Sequence, residues 1–533
     1  MSQQTNNNSL PNQNLLFGQN KDSQNNQDYQ IESKFQNRQE QFTTEEDISK
    51  IKESTMSQEL SLGKDTRNKI FLQKRLLKKT NIESNSLLID SLTMPKDIYE
   101  KITSAEIQPS DFQNIINSFH SQNIEDKFKG LVGIRKLLSI ESKPPIQEII
   151  ELNIVPELIN LLENTPNEFK YEAIWSLTNI ASGTEEQVNT ILIYGGIPKI
   201  LILLDSNIEE IKSQTIWLIA NLIGESSKIR DTLINQKVYD KLLTILASTN
   251  NVKYINLCTW AISNFFTVKP IPDYDIAYKA FKIIARVVMI YDNTNTEFIV
   301  DACQIFSIIT KKHKEFLKEI IDTNLIQYII KFLDIDNKNV LMTCLRIVGN
   351  IACEDNANQV QKLIDLNVLE KLKYTLFNAS LGIRKESAFI LSNIAAGTQK
   401  QIEALIDQNF LQILFKVFKN DLPKVKQQVI YAIGNLTSVE SEEYMKKLVD
   451  DGILIFIYDC MKNDDNLFIS ISLEMLEHVL SYGKKKGDLN LFMGEIEKMG
   501  MLDVLEKLQV HEDEIIYEKT IHILENYFDI ENS

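Results

Sequence analysis

A tryptophan followed four residues later by an asparagine occurs three times at nearly even intervals: WSLTN from Trp175, WLIAN from Trp217 and WAISN from Trp260. The asparagine continues without the tryptophan. Asn179, Asn221, Asn264, Asn350, Asn393 and Asn435 mark a period of about 42 to 43 residues, with one member missing between 264 and 350. A second phrase keeps the same beat: LNIVPELINLLEN from Leu152, YGGIPKILILLDS from Tyr194, TNLIQYIIKFLDI from Thr323, LNVLEKLKYTLFN from Leu366, QNFLQILFKVFKN from Gln408 and DGILIFIYDCMKN from Asp451. Each copy is a turn residue, an apolar helix of about ten residues and a polar end. A unit this short cannot bury its own apolar face, so an all-helical chain with this period stacks its units into a HEAT or armadillo solenoid with an extended concave surface.

Helical geometry assigns the recurring pair to one face. At about 100° per residue, Trp175, Asn179 and Ser182 fall together, while Ala173, Ile174, Leu177, Ile180 and Ala181 fall on the opposite side. An apolar stripe already fills the core-facing side, so the pair is expected to point away from the core and, repeated at Trp217/Asn221 and Trp260/Asn264, to form a surface ladder. The asparagines suit the amide groups of an extended peptide. The indole faces suit long basic side chains, whose aliphatic stems and cationic heads both find favourable contact there.

Composition narrows the function classes. No apolar run reaches the roughly 18 residues of a membrane span, and IIARVVMIY is broken by Arg286; the N-terminus has no signal-peptide core, which places the chain in the cytosol or nucleus. The formal charge of −16 argues against direct nucleic-acid binding and favours basic partners. Five scattered cysteines (Cys258, Cys303, Cys344, Cys353, Cys460) lack a CxxC pair and ligand-spaced histidines, so they read as buried thiols without disulfide or metal. No phosphate loop, HExxH or GxSxG occurs, and the five histidines lie far apart, so neither an enzyme nor a cofactor is expected.

The N-terminal part differs from the repeats. Residues 1–45 are dominated by Asn and Gln and are expected to be a disordered tail. Residues 46–95 hold a short basic helical pattern ending in Lys74, Arg75, Lys78 and Lys79, then a linker around Met94 and Pro95; the repeat domain is assigned to 105–533.

These residues resemble the importin α family, armadillo-repeat adaptors for nuclear localisation signals. WSLTNIASGTEEQ is similar to the family's first signal-binding repeat, KPPIQEIIELNIVPELINLL to the repeat before it, and the stretch from GEIEKMGMLDVLEKLQV to ILENYF to the closing repeats. The resemblance runs from about residue 60 to the C-terminus. It implies an all-α right-handed superhelical armadillo solenoid of about ten repeats, cargo proteins with Lys/Arg-rich signals as ligands, and importin-β as partner of the basic segment. It also implies a nuclear export receptor of the CAS type with Ran-GTP at the C-terminal end, and shuttling between cytoplasm and nucleus. The alternative is an armadillo scaffold of the β-catenin or vacuolar type that binds extended peptides without an import role.

Carried over residue by residue, the resemblance implies a major signal site of Trp175, Asn179, Ser182, Gly183, Gln214, Trp217, Asn221, Glu225, Trp260, Asn264 and Asp301. Gly183 is expected to let the peptide backbone approach closely. Glu225 stands where the family has an aspartate that pairs with the key lysine of the signal, and Val188 stands where a threonine contacts that lysine. The minor site would comprise Arg346, Asn350, Glu386, Phe389, Asn393, Gln428, Tyr431 and Asn435. There Phe389 and Tyr431 replace tryptophans and Gln428 replaces an acid, which predicts weaker binding. Between the sites, Gln304 and Ile308 replace the family's Trp and Tyr, and KKHK at 311–314 makes the stretch basic; signals whose linkers cross this repeat are expected to bind less well. The arginine cluster that opens the family's importin-β-binding helix appears here as SQEL. Lys74, Arg75, Lys78 and Lys79 remain as the importin-β-binding and self-inhibiting candidates, with Thr80 at the third basic position.

Overall fold

The computed structural model describes residues 87–528 apart from 107, 141–142, 225, 291–294, 355 and 486–491. The Asn/Gln-rich tail, the basic segment with Lys74, Arg75, Lys78 and Lys79, and Glu225 therefore lie outside the described residues. Those described are helical with no strand among them, and no helix is long and apolar enough to cross a membrane.

The period emerges as a repeated set of three helices. Ile146–Glu151, Ile154–Asn160 and Asn167–Ile180 form one unit; Glu185–Ile193, Gly196–Leu203 and Glu209–Ile223 form the next. The third helix of each unit is the long one, and in Asn167–Ile180, Glu209–Ile223, Val252–Thr267, Lys338–Ala352, Leu381–Ala395 and Pro423–Leu436 it carries the recurring asparagine. We number these α1 (Ile124–Leu138), α2 (Asn167–Ile180), α3 (Glu209–Ile223), α4 (Val252–Thr267), α5 (Thr296–Lys312), α6 (Lys338–Ala352), α7 (Leu381–Ala395) and α8 (Pro423–Leu436). Of the described residues, those of 51–351 and 362–387 form one compact unit and those of 352–361 and 388–533 another.

The turn residue of the second phrase has a backbone reason. Asn153, Gly195, Lys237, Asn324, Asn367, Asn409, Gly452 and Gly500 all have positive φ and each sits immediately before the middle helix of its unit. Asn and Gly are the residues that enter this left-handed region at least cost, so the chain can reverse between first and second helices in a single step. The unit between Lys237 and Asn324 lacks such a residue because one continuous helix, Tyr274–Ile290, replaces the usual two. The repeat that seems absent from the asparagine series is thus present, with α5 as its long helix and Ser307 and Ile308 near the asparagine's place.

Helix starts are fixed by caps. Asn123 accepts from the N–H groups of Glu125 and Asp126 at α1, Asn251 from Lys253 at α4, and Asn295 from Phe298 at α5. Apolar side chains fill the layers between helices, among them the fully buried Phe128, Phe265, Phe306 and Phe316 in the first compact unit and Phe410 in the second. All five cysteines are free; four are buried and Cys353 is only half-buried, a departure from the expected buried set.

Helix Lys96–Ser104 falls between the expected linker and the expected repeat domain, and it packs on the first repeat. Tyr99 and Ile102 are buried, and Tyr99 stacks on Phe128 with ring centroids 5.8 Å apart. Thr93 ahead of it donates its N–H and hydroxyl to Glu168 Oε1, and Lys136 Nζ donates to Ala105 O behind it. The short helix Leu87–Asp90 reaches α3. Residues 87–105 therefore run as a strap across α3, α2 and α1.

The exposed Asn324 isolates the backbone contribution of the turn. Asn324→Val should lower the urea midpoint by an amount equivalent to about 1–2 kcal/mol, while Asn324→Gly should leave it nearly unchanged, as followed by circular dichroism. Equal midpoints for both variants would remove the left-handed turn as the cause of the recurring Asn/Gly.

Candidate functional site

The long helices end by exposing carbonyls that have no partner in their own helix. At α2 each of the last four is taken up: Leu177 O by the Ala181 N–H at 2.8 Å, Asn179 O by the Ser182 N–H and hydroxyl, Ile180 O by the Gly183 N–H at 2.9 Å. The fourth, Thr178 O, receives Asn221 Nδ2 from α3 at 3.1 Å. Asn264 Nδ2 does the same for Ala220 O at 2.8 Å, and Asn350 Nδ2 reaches Ser307 O at 3.1 Å and Thr310 Oγ1 at 2.9 Å. In the second compact unit Asn435 Nδ2 bonds Ser392 O at 2.9 Å. Asn179 takes Ser139 Oγ at 2.9 Å and Arg135 O at 3.5 Å.

This corrects the outward-pointing reading. Asn179, Asn221, Asn264 and Asn435 are buried, and each spends its amide N–H on the preceding repeat. The helical-wheel argument set them against the core of their own unit, whereas in a stack the opposite face meets the previous long helix. At Asn221 the Oδ1 is itself buried and accepts no hydrogen bond among the described residues. Asn393 departs from the series, since its Nδ2 returns to Phe389 O of its own helix at 2.7 Å.

The tryptophans are half-buried and stand between the ladder rungs. Trp217 and Trp260 lie edge to face, centroids 6.3 Å apart at 87°. Trp175 has Tyr171 at its edge at 5.9 Å and the Arg135 guanidinium 4.3 Å from its ring centroid. Arg135 in turn is paired with Glu172, Nε to Oε2 at 2.7 Å and Nη2 to Oε1 at 3.4 Å, with both side chains largely buried. Burial, with the nearby Glu172 carboxylate, holds the Tyr171 phenol well above its usual range. Burial pushes the Lys136 ammonium beside Arg135 down to about 8, with the Arg135 charge adding to the effect.

Other assigned residues find different places. Gln214 is buried and donates from Nε2 to Thr178 Oγ1 at 3.0 Å, so it works between repeats. Gly183 has an ordinary φ, and a Cβ there would collide with Gln187 Oε1. That oxygen accepts the Thr184 N–H in a capping box that Thr184 completes from the Gln187 N–H. The same arrangement recurs at Gly397, Thr398 and Gln401. The glycine thus first serves its own helix start. Val188 is 0% exposed and belongs to the core, not to a lysine-contacting wall. Ser182 and Asp301 are half-buried, as are Arg346, Asn350 and Glu386. In the second compact unit Phe389, Asn393 and Tyr431 are half-buried and Gln428 is buried. Sequence reading missed Arg135 and Glu172. The signal available was an acid three residues before the first tryptophan and an arginine at the matching place of the preceding long helix.

Three-helix repeats joined by an asparagine ladder with aromatic rungs define an armadillo-repeat protein. Residues 142–182 match the armadillo/beta-catenin-like repeat and residues 490–533 match the atypical Arm repeat. Importin subunit alpha-1a of Oryza sativa subsp. japonica is 32% identical over 78% of this chain and 79% of its own length. Importin subunit alpha-2 of Arabidopsis thaliana is 32% identical over 74% of each, and probable importin subunit alpha-A of Dictyostelium discoideum 26% over 89% and 90%. An engineered protein of known crystal structure shares the fold with a TM-score of 0.63 at 23% identity, over 78% of this chain and 98% of that one. The chain belongs to the importin subunit α family. Membership sets aside the β-catenin-type and vacuolar-type scaffold alternative.

The inter-repeat bonds predict a stability role for the ladder. Asn264→Ala deprives the Ala220 carbonyl of its donor within a buried setting, and should destabilise the fold by about 1–3 kcal/mol in chemical denaturation. An asparagine serving only a peptide would leave the free protein unchanged.

Proposed function

We propose that this chain is a nuclear import adaptor that binds Lys/Arg-rich localisation signals of cargo proteins in extended form along α2, α3 and α4. The observation that carries the reading is the edge-to-face pair of half-buried indoles, Trp217 on α3 and Trp260 on α4, with centroids 6.3 Å apart. Their partly open ring faces favour the aliphatic stem and cationic head of a basic side chain. Glu225, on sequence grounds, and Asp301 supply negative charge for the peptide, with the −16 formal charge of the chain steering basic partners toward it. In the second compact unit Phe389, Asn393, Tyr431 and Asn435 form the poorer ladder. Its rings offer weaker cation–π faces than tryptophan, its Asn393 is turned inward to Phe389, and Gln428 is buried without charge.

The basic segment with Lys74, Arg75, Lys78 and Lys79 is proposed to bind importin-β, and the C-terminal repeats an export receptor of the CAS type with Ran-GTP, so that the protein cycles between cytoplasm and nucleus. Two experiments test this reading. A labelled Lys/Arg-rich peptide titrated against the full chain should bind more weakly as salt rises. Trp217→Ala should weaken it about five- to thirty-fold, matching the loss of about 1–2 kcal/mol from one desolvated cation–π contact. Unchanged affinity in that variant would refute the groove assignment.

Lys78 and Lys79 also form a tethered competitor for the groove, with effective concentration in the millimolar range that compensates for the neutral Thr80. Deleting residues 1–85, which leaves the strap beginning at Leu87 in place, should raise peptide affinity several-fold, and adding importin-β to the full chain should do the same. Failure of both, with importin-β still bound, would reduce the segment to a receptor handle.

A further inference from the structure

The chain enters the repeats along the side of α2 that carries the first tryptophan. Glu168 lies seven residues before Trp175, so at about 100° per residue the two share one side of the helix. Glu168 Oε1 accepts the Thr93 N–H at 3.1 Å and the Thr93 hydroxyl, which fixes the strap on that side. Further upstream the strap buries Leu88, and its short helix Leu87–Asp90 packs on α3, the helix of Trp217. This attachment is only partly satisfied. Glu168 is 0% exposed, yet its Oε2 has no hydrogen-bond partner among the described residues, so the docked strap sits on a carboxylate with one oxygen unpaired. The cost of that oxygen offsets part of what the two Thr93 bonds contribute.

We infer that residues 87–95 are a clamp that sets the reach of the self-inhibiting segment, with the Thr93–Glu168 contact as its latch. The inference rests on the self-inhibition by Lys78 and Lys79 proposed above and deepens it. With the clamp docked, eight residue steps separate Lys79 from Leu87 and span at most about 26–29 Å. α3 has 15 residues and is about 22 Å long, so Trp217 lies within that span wherever the short helix meets it. With the clamp released, the tether begins at helix Lys96–Ser104, which stays anchored through the buried Tyr99 and Ile102, and the separation grows to 17 residue steps. Effective concentration falls roughly as the 3/2 power of tether length once the tether can span, which makes the internal competitor about threefold weaker. Opening the clamp thus relieves inhibition in part without removing the segment. A strap that only covers the terminal repeat would leave the competitor's strength untouched, and this separates the two roles.

The test reads binding of a labelled Lys/Arg-rich peptide by fluorescence anisotropy, in the full chain and in the chain lacking residues 1–85. The ratio of the two dissociation constants measures self-inhibition, and a direct effect of a substitution on the groove cancels in it. Leu88→Ser combined with Thr93→Val removes the buried apolar contact and the hydroxyl of the latch. Amide hydrogen exchange over residues 87–95 should then quicken about tenfold or more, while residues 96–105 keep their protection. The inhibition ratio should fall about threefold. A second variant leaves the clamp intact and inserts nine Gly/Ser residues after Thr80; it should lower the ratio by a similar factor. Faster exchange with an unmoved ratio overturns the inference, as does an insertion without effect, or exchange that does not respond to the double substitution. If the wild-type ratio is itself one, self-inhibition fails. That result is distinct from failure of the clamp, in which removing residues 1–85 still strengthens binding while neither variant moves the ratio.

Discussion

The hydrogen bond from a ladder asparagine to a carbonyl of the preceding long helix is the contact on which the rest of the structure depends. A solenoid has only nearest-neighbour contacts, so each interface must fix its own register. Apolar side chains give the interface most of its free energy but little directional information. The Asn221 amide on Thr178 O and the Asn264 amide on Ala220 O are directional, buried and repeated at nearly constant spacing. They satisfy helix-end carbonyls that would otherwise be desolvated without a partner. Because the bonds set how one long helix slides on the next, they also set where Trp217 meets Trp260. The same bonds thus fix both the stacking of the repeats and the meeting of the two indoles.

The repeat architecture was legible because it is written in local chemistry. The left-handed residue at Asn153, Gly195, Asn324, Asn367, Asn409 and Gly452 needs no tertiary knowledge, only the rule that few side chains tolerate positive φ. The Trp/Asn spacing was equally plain. What the sequence hid was contact between residues about forty positions apart. Asn burial, the Gln214 bond to Thr178 and the Arg135–Glu172–Trp175 cluster all join consecutive long helices, and a helical wheel drawn for one helix has no neighbour in it. Gly183 shows the same limit at shorter range. Its lack of a side chain reads as room for a ligand, although a Cβ there would also press on the Gln187 Oε1 that takes part in the Thr184 capping box.

The first ladder helices are also covered at one end by the strap. Terminal repeats of a solenoid lack one neighbour and must close their exposed apolar face. Here Tyr99 lies against Phe128, which in turn meets Phe169 at 5.1 Å, so the strap extends the aromatic packing of α1 and α2 outward. Thr93 holds the strap on the buried Glu168 at the start of α2. Burial together with the Glu172 charge raises the Tyr99 phenol far above its usual range, so the hydroxyl stays neutral and the cover stays apolar. The strap thus comes close to the buried Arg135–Glu172 pair, whose charges act on the Tyr99 phenol.

The repeat with α5 shows how the ladder can be relaxed locally without losing the stack. Gln304 and Ile308 stand where aromatic rungs would be, and no ladder asparagine issues from α5. The loop that leads into Tyr274–Ile290 is held by side chains from two sides. The buried Arg230 donates to Val268 O at 2.6 Å and to Pro270 O from one side. Lys312 donates to Ile271 O at 2.6 Å and Pro272 O at 3.2 Å from the other, with His313 Nε2 at 3.3 Å from Pro272 O. Two members of the KKHK run are thus engaged with backbone carbonyls at the end of α5, where positive charge also complements the helix dipole. Stacking of Phe316 on Tyr274 at 4.9 Å completes the joint. Lys312 and His313 of the KKHK run thus also serve to hold the loop ahead of Tyr274–Ile290.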